Sequence, residues 1–360
     1  MLAELLYPLR DDVFLFNVFR YITFRAAYAA LTAFLLSILL GPWVIRKLRE
    51  KGVVKHVRVE GPDSHQKKTG TPTMGGLLIL ASISIATILW ADPRNMEVRV
   101  ALLGTLALGA IGFLDDYLQV VRRQNKGLVG RAKLVGQVSI GLVVGLVMLW
   151  MLPPETATSI TVPFLKERFL DLTWLYIPFV ICVLTGTSNA VNLTDGLDGL
   201  AIGVTAFAAV AFAGLSYVSG HSRFAEYLQI LYLPGAGELT IFCASVFGAS
   251  LGFLWYNAHP AEVFMGDTGS LSLGGALGIT AILLKMELIL AVVGGVFVAE
   301  ALSVILQVGS FRLTGKRIFR MAPIHHHFEL RGWDENKVVV RFWIVAGLLA
   351  LLALSTLKLR

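Results

Sequence analysis

Residues 98–117 read VRVALLGTLALGAIGFLDDY. From Val100 to Leu114 no side chain carries a charge. The run matches the roughly 20 residues a helix needs to cross the hydrocarbon core of a bilayer. It then stops on two adjacent carboxylates, Asp115 and Asp116. The apolar body makes lipid the solvent of this segment, and the acidic end marks where chemistry could begin.

The rest of the chain repeats the pattern. Of 360 residues, 56 % are hydrophobic and 15 % charged, with a mean hydropathy of +0.72. A soluble domain has about 45–50 % apolar residues, glycine included, and about 25 % charged. Soluble globular, disordered and fibrous classes are thereby excluded. Ten apolar runs are legible, at roughly 23–45, 74–91, 98–117, 134–152, 174–190, 199–219, 238–256, 268–284, 286–308 and 339–357. None alternates like a lipid-facing strand. The expected fold is all-α: a polytopic membrane protein of about ten transmembrane helices, with residues 1–360 forming one integral membrane domain. Cys182 and Cys243 lie inside apolar runs and read as small core residues, not as a disulfide or metal pair. The first run has no basic region before it and a strongly basic one after it, the reverse of a cleavable signal, so it reads as a retained helix.

The net charge of +7 is unevenly placed. Nineteen Lys and Arg fall on the connections between runs 1–2, 3–4 and 9–10, against five on the even-numbered connections. Basic connections stay cytoplasmic, which puts both termini on the periplasmic side and reads the charge as orientation, with no nucleic-acid partner. All five polar-rich strings (64–76, 115–127, 189–199, 257–270 and 320–333) then fall on the cytoplasmic face. That clustering predicts one composite site.

Asp115 and Asp116 oppose both the helix dipole and each other, beside a membrane where unpaired charge is costly. A divalent cation or a basic partner resolves the conflict. Asp267, within FMGDTGS at 264–270, reads as a helix N-cap or as a hard oxygen ligand. Mg²⁺ takes one or two carboxylates plus substrate phosphate oxygens, and Asp267 with the 115–116 pair supplies that set. Asn189, Asn192, Asp195 and Asp198 share a connection free of Lys and Arg, where their side chains suit the polar edges of a base or ribose. Asp198 also reads as a cap for the sixth helix. Thr71 and Pro72 read as the capped start of the second helix. With Lys67, Lys68 and Thr73 close by, that start suits phosphate, and Lys126, Arg131 and Lys133 add to the field. His325, His326 and His327 do not suit zinc, because adjacent side chains diverge and no Cys or spaced His completes a tetrahedron. They suit hydrogen bonding to phosphate. Glu300 and Gln307, inside the ninth run, are expected to face the bundle interior. Together these groups point to phosphoryl transfer between a nucleotide and a lipid, which demands positioning and charge neutralisation more than covalent machinery.

The strings resemble the phospho-N-acetylmuramoyl-pentapeptide transferases, a branch of the polyprenyl-phosphate N-acetylhexosamine-1-phosphate transferases. Asp115-Asp116, NLTDGLDG at 192–199 and FMGD at 264–267 resemble motifs of the whole superfamily. GTPTMGG at 70–76 and PIHHH at 323–327 resemble strings of the muramoyl branch. The likeness runs from about residue 20 to the C-terminus. It implies ten transmembrane helices, a homodimer, and a Mg²⁺ site on the cytoplasmic face of the bacterial inner membrane. The implied reaction moves phospho-MurNAc-pentapeptide from UDP-MurNAc-pentapeptide to undecaprenyl phosphate, giving lipid I and UMP for peptidoglycan. By the same likeness Asp267 is the metal ligand, with Asp115 and Asp116 as candidates beside it. Asp115 serves as base or orienter of the lipid phosphate. Lys68 and Thr73 contact phosphates. Asn192, Asp195 and Asp198 shape a nucleoside pocket with Asn257 and Phe264 across from them, and His325, His326 and His327 line the pyrophosphate or sugar end. Relatives carry a lysine three residues after the second aspartate. Here that position is Gln119, so Arg122 or Arg123 is expected to compensate. The rival readings are a sibling enzyme for another HexNAc-1-phosphate and, from a different class, a secondary transporter of anionic metabolites. Transporters hold substrate near the bilayer midplane, whereas these polar strings gather at one face.

Overall fold

The computed structural model describes residues 1–54, 70–122, 124, 127–163 and 169–358. Ten helices carry the ten apolar runs: α1 (Ile22–Glu50), α2 (Gly76–Trp90), α3 (Met96–Asp116), α4 (Gly130–Met151), α5 (Tyr176–Thr194), α6 (Leu200–Ser219), α7 (Leu239–Asn257), α8 (Gly266–Leu283), α9 (Gly295–Thr314) and α10 (Glu335–Ser355). Among the described residues, eight helical segments are long and apolar enough to cross a membrane; α2 and α8 fall outside that group. The chain is an all-α polytopic membrane protein.

Four expectations need correction. The ninth run is not one helix. A short helix, Glu287–Val293, closes at Gly294, whose N–H reaches Leu290 O at 2.7 Å, and α9 starts afresh at Gly295. Paired glycines are a recognised cause of such breaks. Thr71 and Pro72 do not open α2, which begins at Gly76. Their stretch is extended instead, because its backbone is claimed from afar. Phe264 N donates to Pro72 O at 2.8 Å, Gly75 N to Phe264 O at 2.9 Å and Gly76 N to Met265 O at 2.8 Å. Asp198 does not cap α6, whose N-cap is Gly199. Cys182 lies on the outer surface of α5, while Cys243 is in the core; both are free thiols. A thiol behaves as a small hydrophobe, so either face suits it.

One helix organises the bundle. Every residue of α8 from Thr268 to Leu283 is buried, as expected of an element apolar on all sides. Helices α2, α3, α5 and α6 pack around it. Small residues in GDTGSLSLGGALG let these neighbours approach closely, the usual means of helix association in lipid. One such approach is at Gly112 of α3, where an added Cβ would collide with the carbonyl of Asp267. At the other end of α8, Lys285 Nζ donates to Ala157 O at 2.6 Å. That contact pins an antiparallel hairpin, Ser159–Thr161 with Phe169–Asp171. Arg25 of α1, buried, makes a two-pronged ion pair with Glu238, at 2.8 and 2.5 Å.

Gly112→Val should therefore destabilise the bundle by about 1–3 kcal/mol or more, the cost of overpacking. Thermal unfolding in detergent reads this as a lowered Tm; an unchanged Tm contradicts the close α3–α8 contact.

Candidate active site

The first turn of a helix leaves amide groups without partners. Met265, at the N-cap of α8, offers no side-chain cap. Asp116 supplies it from the end of α3. Its Oδ1 accepts Asp267 N at 3.0 Å, and its Oδ2 accepts Thr268 N at 2.9 Å and Thr268 Oγ1 at 2.6 Å. Asp267 consequently sits inside the first turn with its own carboxylate turned elsewhere.

Asp267 Oδ1 accepts from Asn192 Nδ2 at 2.8 Å, and its Oδ2 pairs with the Lys133 ammonium. The same ammonium lies 3.3 Å from Asp115 Oδ2, while Asp115 Oδ1 accepts Leu128 N at 2.6 Å. Three carboxylates from α3 and α8, the lysine of α4 and the asparagine of α5 thus form one cluster. Asp115 is 5 % exposed and Asp267 25 %, so the cluster is largely dry but open on the Asp267 side. The basic partner sought for Asp115 is Lys133. Arg122 instead lies over the Tyr117 ring, and Arg123 is outside the described residues.

The remaining predicted residues divide among neighbouring contacts. Asn189 turns away from the cluster, donating to Gln137 Oε1 at 2.9 Å and Thr185 O at 2.8 Å. Asp195 follows the last turn of α5, its N–H toward Asn192 O at 3.3 Å. Asn257, buried, accepts Gly199 N at 3.1 Å and donates to Val263 O at 2.9 Å. Thr73 is buried, its N–H on Val53 O at 3.0 Å. Phe264 lies against the same extended stretch. Lys68 and Lys126 lie outside the described residues.

The three histidines take three different partners. His325 is fully buried, with Nδ1 3.1 Å from the equally buried Glu300 of α9. It packs so closely on Gly196 that any Cβ there would strike its ring. His326 Nδ1 donates to Glu329 at 2.8 Å. His327 Nδ1 accepts Arg320 N at 3.1 Å, which requires an unprotonated nitrogen. Partial burial and the Arg331 and Arg320 charges hold its pKa below the ordinary histidine value. Gln307 bonds both the N–H and the carbonyl of Phe319, folding the histidine segment back onto α9. The described parts of the five polar strings therefore meet around the first turn of α8 and the segment 192–199. Sequence reading passed over Thr268, Ser270, His259 and Glu335, each of which has an ordinary reading as a loop or helix-start residue.

Comparison with known proteins identifies the family. The profile of glycosyl transferase family 4 matches residues 98–285, just over half of the chain, and the phospho-N-acetylmuramoyl-pentapeptide-transferase signature 1 matches residues 68–80. Proteins named phospho-N-acetylmuramoyl-pentapeptide-transferase are similar over their full length. Those of Citrifermentans bemidjiense and Geobacter sp. strain M21 are 55 % and 56 % identical over 360 residues, covering 100 % of both chains, and that of Pelobacter propionicus is 55 % identical with the same coverage. The chain belongs to the phospho-N-acetylmuramoyl-pentapeptide transferase family. It is an enzyme of glycosyl-1-phosphate transfer. Asp115 and Asp267 of this transferase both lie within the family match; Lys68 and Thr73 lie within the signature.

Removing the cap should separate the roles of the two adjacent aspartates. Asp116→Ala should cost the transferase about 1–3 kcal/mol of stability, because buried donors lose a charged acceptor. Asp116→Asn should recover part of it, and Asp267→Asn should cost less than either. A smaller loss for Asp116→Ala than for Asp267→Asn, by thermal unfolding, contradicts the cap.

Proposed function

We propose that the chain transfers phospho-MurNAc-pentapeptide from UDP-MurNAc-pentapeptide to undecaprenyl phosphate, yielding lipid I and UMP, and that it requires Mg²⁺. The observation that carries this is the convergence of Asp115, Asp267, Lys133 and Asn192 on the open side of α8's first turn. The donor set suits the metal: hard carboxylate oxygens with a carboxamide beside them, the ligand class Mg²⁺ prefers when substrate phosphates complete its shell. Asp267, with Asp115, would hold it. When bound, Mg²⁺ offsets the charge on the donor pyrophosphate and on the leaving phosphate.

The chain's own residues then orient and neutralise. Lys133 holds an ammonium between the two carboxylates, within reach of phosphate oxygens arriving at Asp267. Asn192 fixes the Asp267 carboxylate from the side of the nucleoside loop. Asp116 is occupied with α8 and contributes through placement. An oxygen of the lipid phosphate attacks the β-phosphorus of the donor. The new P–O bond forms as the bond from that phosphorus to the bridging oxygen breaks, and UMP leaves with the electron pair. A phosphate monoester has a second pKa near 6, so the nucleophile is largely dianionic at neutral pH and needs little help from a base.

The basic odd-numbered connections support a cytoplasmic site in the bacterial inner membrane. A homodimer and periplasmic termini belong to the same reading. Lys68 and Thr73 would meet the donor phosphates, and Asn257, Asp198 and Phe264 would meet the nucleoside.

Purified protein given both substrates should release UMP with Mg²⁺ and none with EDTA. Asp267→Asn should lower kcat at least about a hundredfold. Release of UMP from UDP-GlcNAc but not from the muramoyl donor, or undiminished release in EDTA, contradicts the proposal.

A further inference from the structure

A second group of ionisable side chains meets away from the carboxylate cluster. Asp198, in the loop between α5 and α6, lies with Oδ2 3.1 Å from His259 Nδ1 and accepts Ala261 N at 3.1 Å. A carboxylate only accepts, so Nδ1 carries the proton. Glu335, the first residue of α10, accepts Asp198 N through Oε1 at 2.9 Å, and its Oε2 lies 3.6 Å from the same His259 nitrogen. Asp198 and Glu335 are buried, and His259 is about one-third exposed. Donor atoms of the three lie within 4.8 Å of one another. Two of the carboxylate oxygens already hold backbone N–H groups, which ties the cluster to loop geometry and not to a metal.

The loop held here continues from the last turn of α5, which reaches the carboxylate cluster. At the α5 end, Asn192 of that turn donates to Asp267. At the other, Asp198 is fixed by α10 and by the segment after α7, and Trp343 of α10 donates to Gly199 O at 3.2 Å. Glu335 also follows directly on the histidine segment, which is anchored by stacking of Phe328 on Trp333. One carboxylate therefore sets the nucleoside loop and the histidine segment in a common frame.

We infer that Glu335 and His259 are positioning residues that clamp the 195–199 loop for the nucleotide end of the donor. The inference rests on the reading that this loop receives a uridine nucleotide. Glu335 acts on the backbone of Asp198 and His259 on its side chain, and both lie apart from the carboxylate cluster. Their loss should weaken donor binding and leave the chemical step intact.

The test measures UMP binding by calorimetry, with KM for each substrate and kcat, in full-length protein. Glu335→Ala should weaken UMP binding and raise the donor KM by about tenfold, the loss of one charge-assisted hydrogen bond. The lipid KM and kcat should stay within about threefold. Glu335→Gln keeps an acceptor oxygen and should recover most of the binding. His259→Ala, read in the same way, should weaken UMP binding by about threefold and keeps the inference testable if Glu335→Ala does not fold. A fall in kcat with unchanged UMP binding, or equal losses in Glu335→Ala and Glu335→Gln, overturns the clamp. Wild-type protein that binds no UMP also overturns it. Wild-type protein that binds UMP but transfers nothing from UDP-MurNAc-pentapeptide, with binding weakened in Glu335→Ala, keeps the clamp and overturns the transferase reading.

Discussion

A helix buried on every face must still satisfy the amide groups of its first turn. In α8 that need is met by a carboxylate from another helix, and the arrangement of the site follows from it. Asp116 turns both oxygens onto the backbone of Asp267 and Thr268. Successive residues of a helix are rotated by about 100°, so Asp115 points elsewhere, toward Lys133. Asp267, its amide capped by Asp116, is free to turn its side chain toward the same lysine and Asn192. One capping interaction thus locks α3 to α8 and aims the other two carboxylates at a common point. Gly112 permits it, by letting the helices touch backbone to backbone.

That point is electrostatically incomplete. Two carboxylates share one ammonium in a space largely closed to water, where an uncompensated charge is expensive. A divalent cation brought in with a polyphosphate balances such a set more fully than lysine alone. The reaction needs the same thing, because phosphoryl transfer gathers negative charge that must be neutralised where it forms. The proposed chemistry and the local electrostatics converge on the open side of Asp267.

Much of this was legible in the sequence. Lipid as solvent, an all-α bundle and the gathering of the polar strings follow from composition, hydropathy and the placement of polar residues, because these depend on local sums. What was not legible depends on pairing at a distance. Thr71 and Pro72 look like a helix start, yet Pro72 pairs with Val54 in an extended bridge and its carbonyl accepts the N–H of Phe264. Asp115 and Asp116 are indistinguishable as letters; the direction each faces separates a cap from a partner of Lys133. Lys133 reads as part of a basic field for phosphate, and only the fold shows α4 bringing it between two carboxylates. Glu335 reads as an ordinary acidic first-turn residue, and only the fold sets it against Asp198. The adjacent histidines were expected to diverge, and they do, toward Glu300, Glu329 and the Arg320 amide.

The proposed division of labour has Asp116 building the site while Asp267 and Asp115 face the cation. Binding of Mn²⁺ alone, followed by electron paramagnetic resonance in the folded protein and its single variants, tests it directly. Asp267→Asn should weaken Mn²⁺ binding more than about tenfold, as expected for loss of a first-choice ligand, with Asp115→Asn affected in the same direction. Folded Asp116→Asn should stay within about threefold of wild type. Equal loss of Mn²⁺ binding in Asp116→Asn and Asp267→Asn would contradict it.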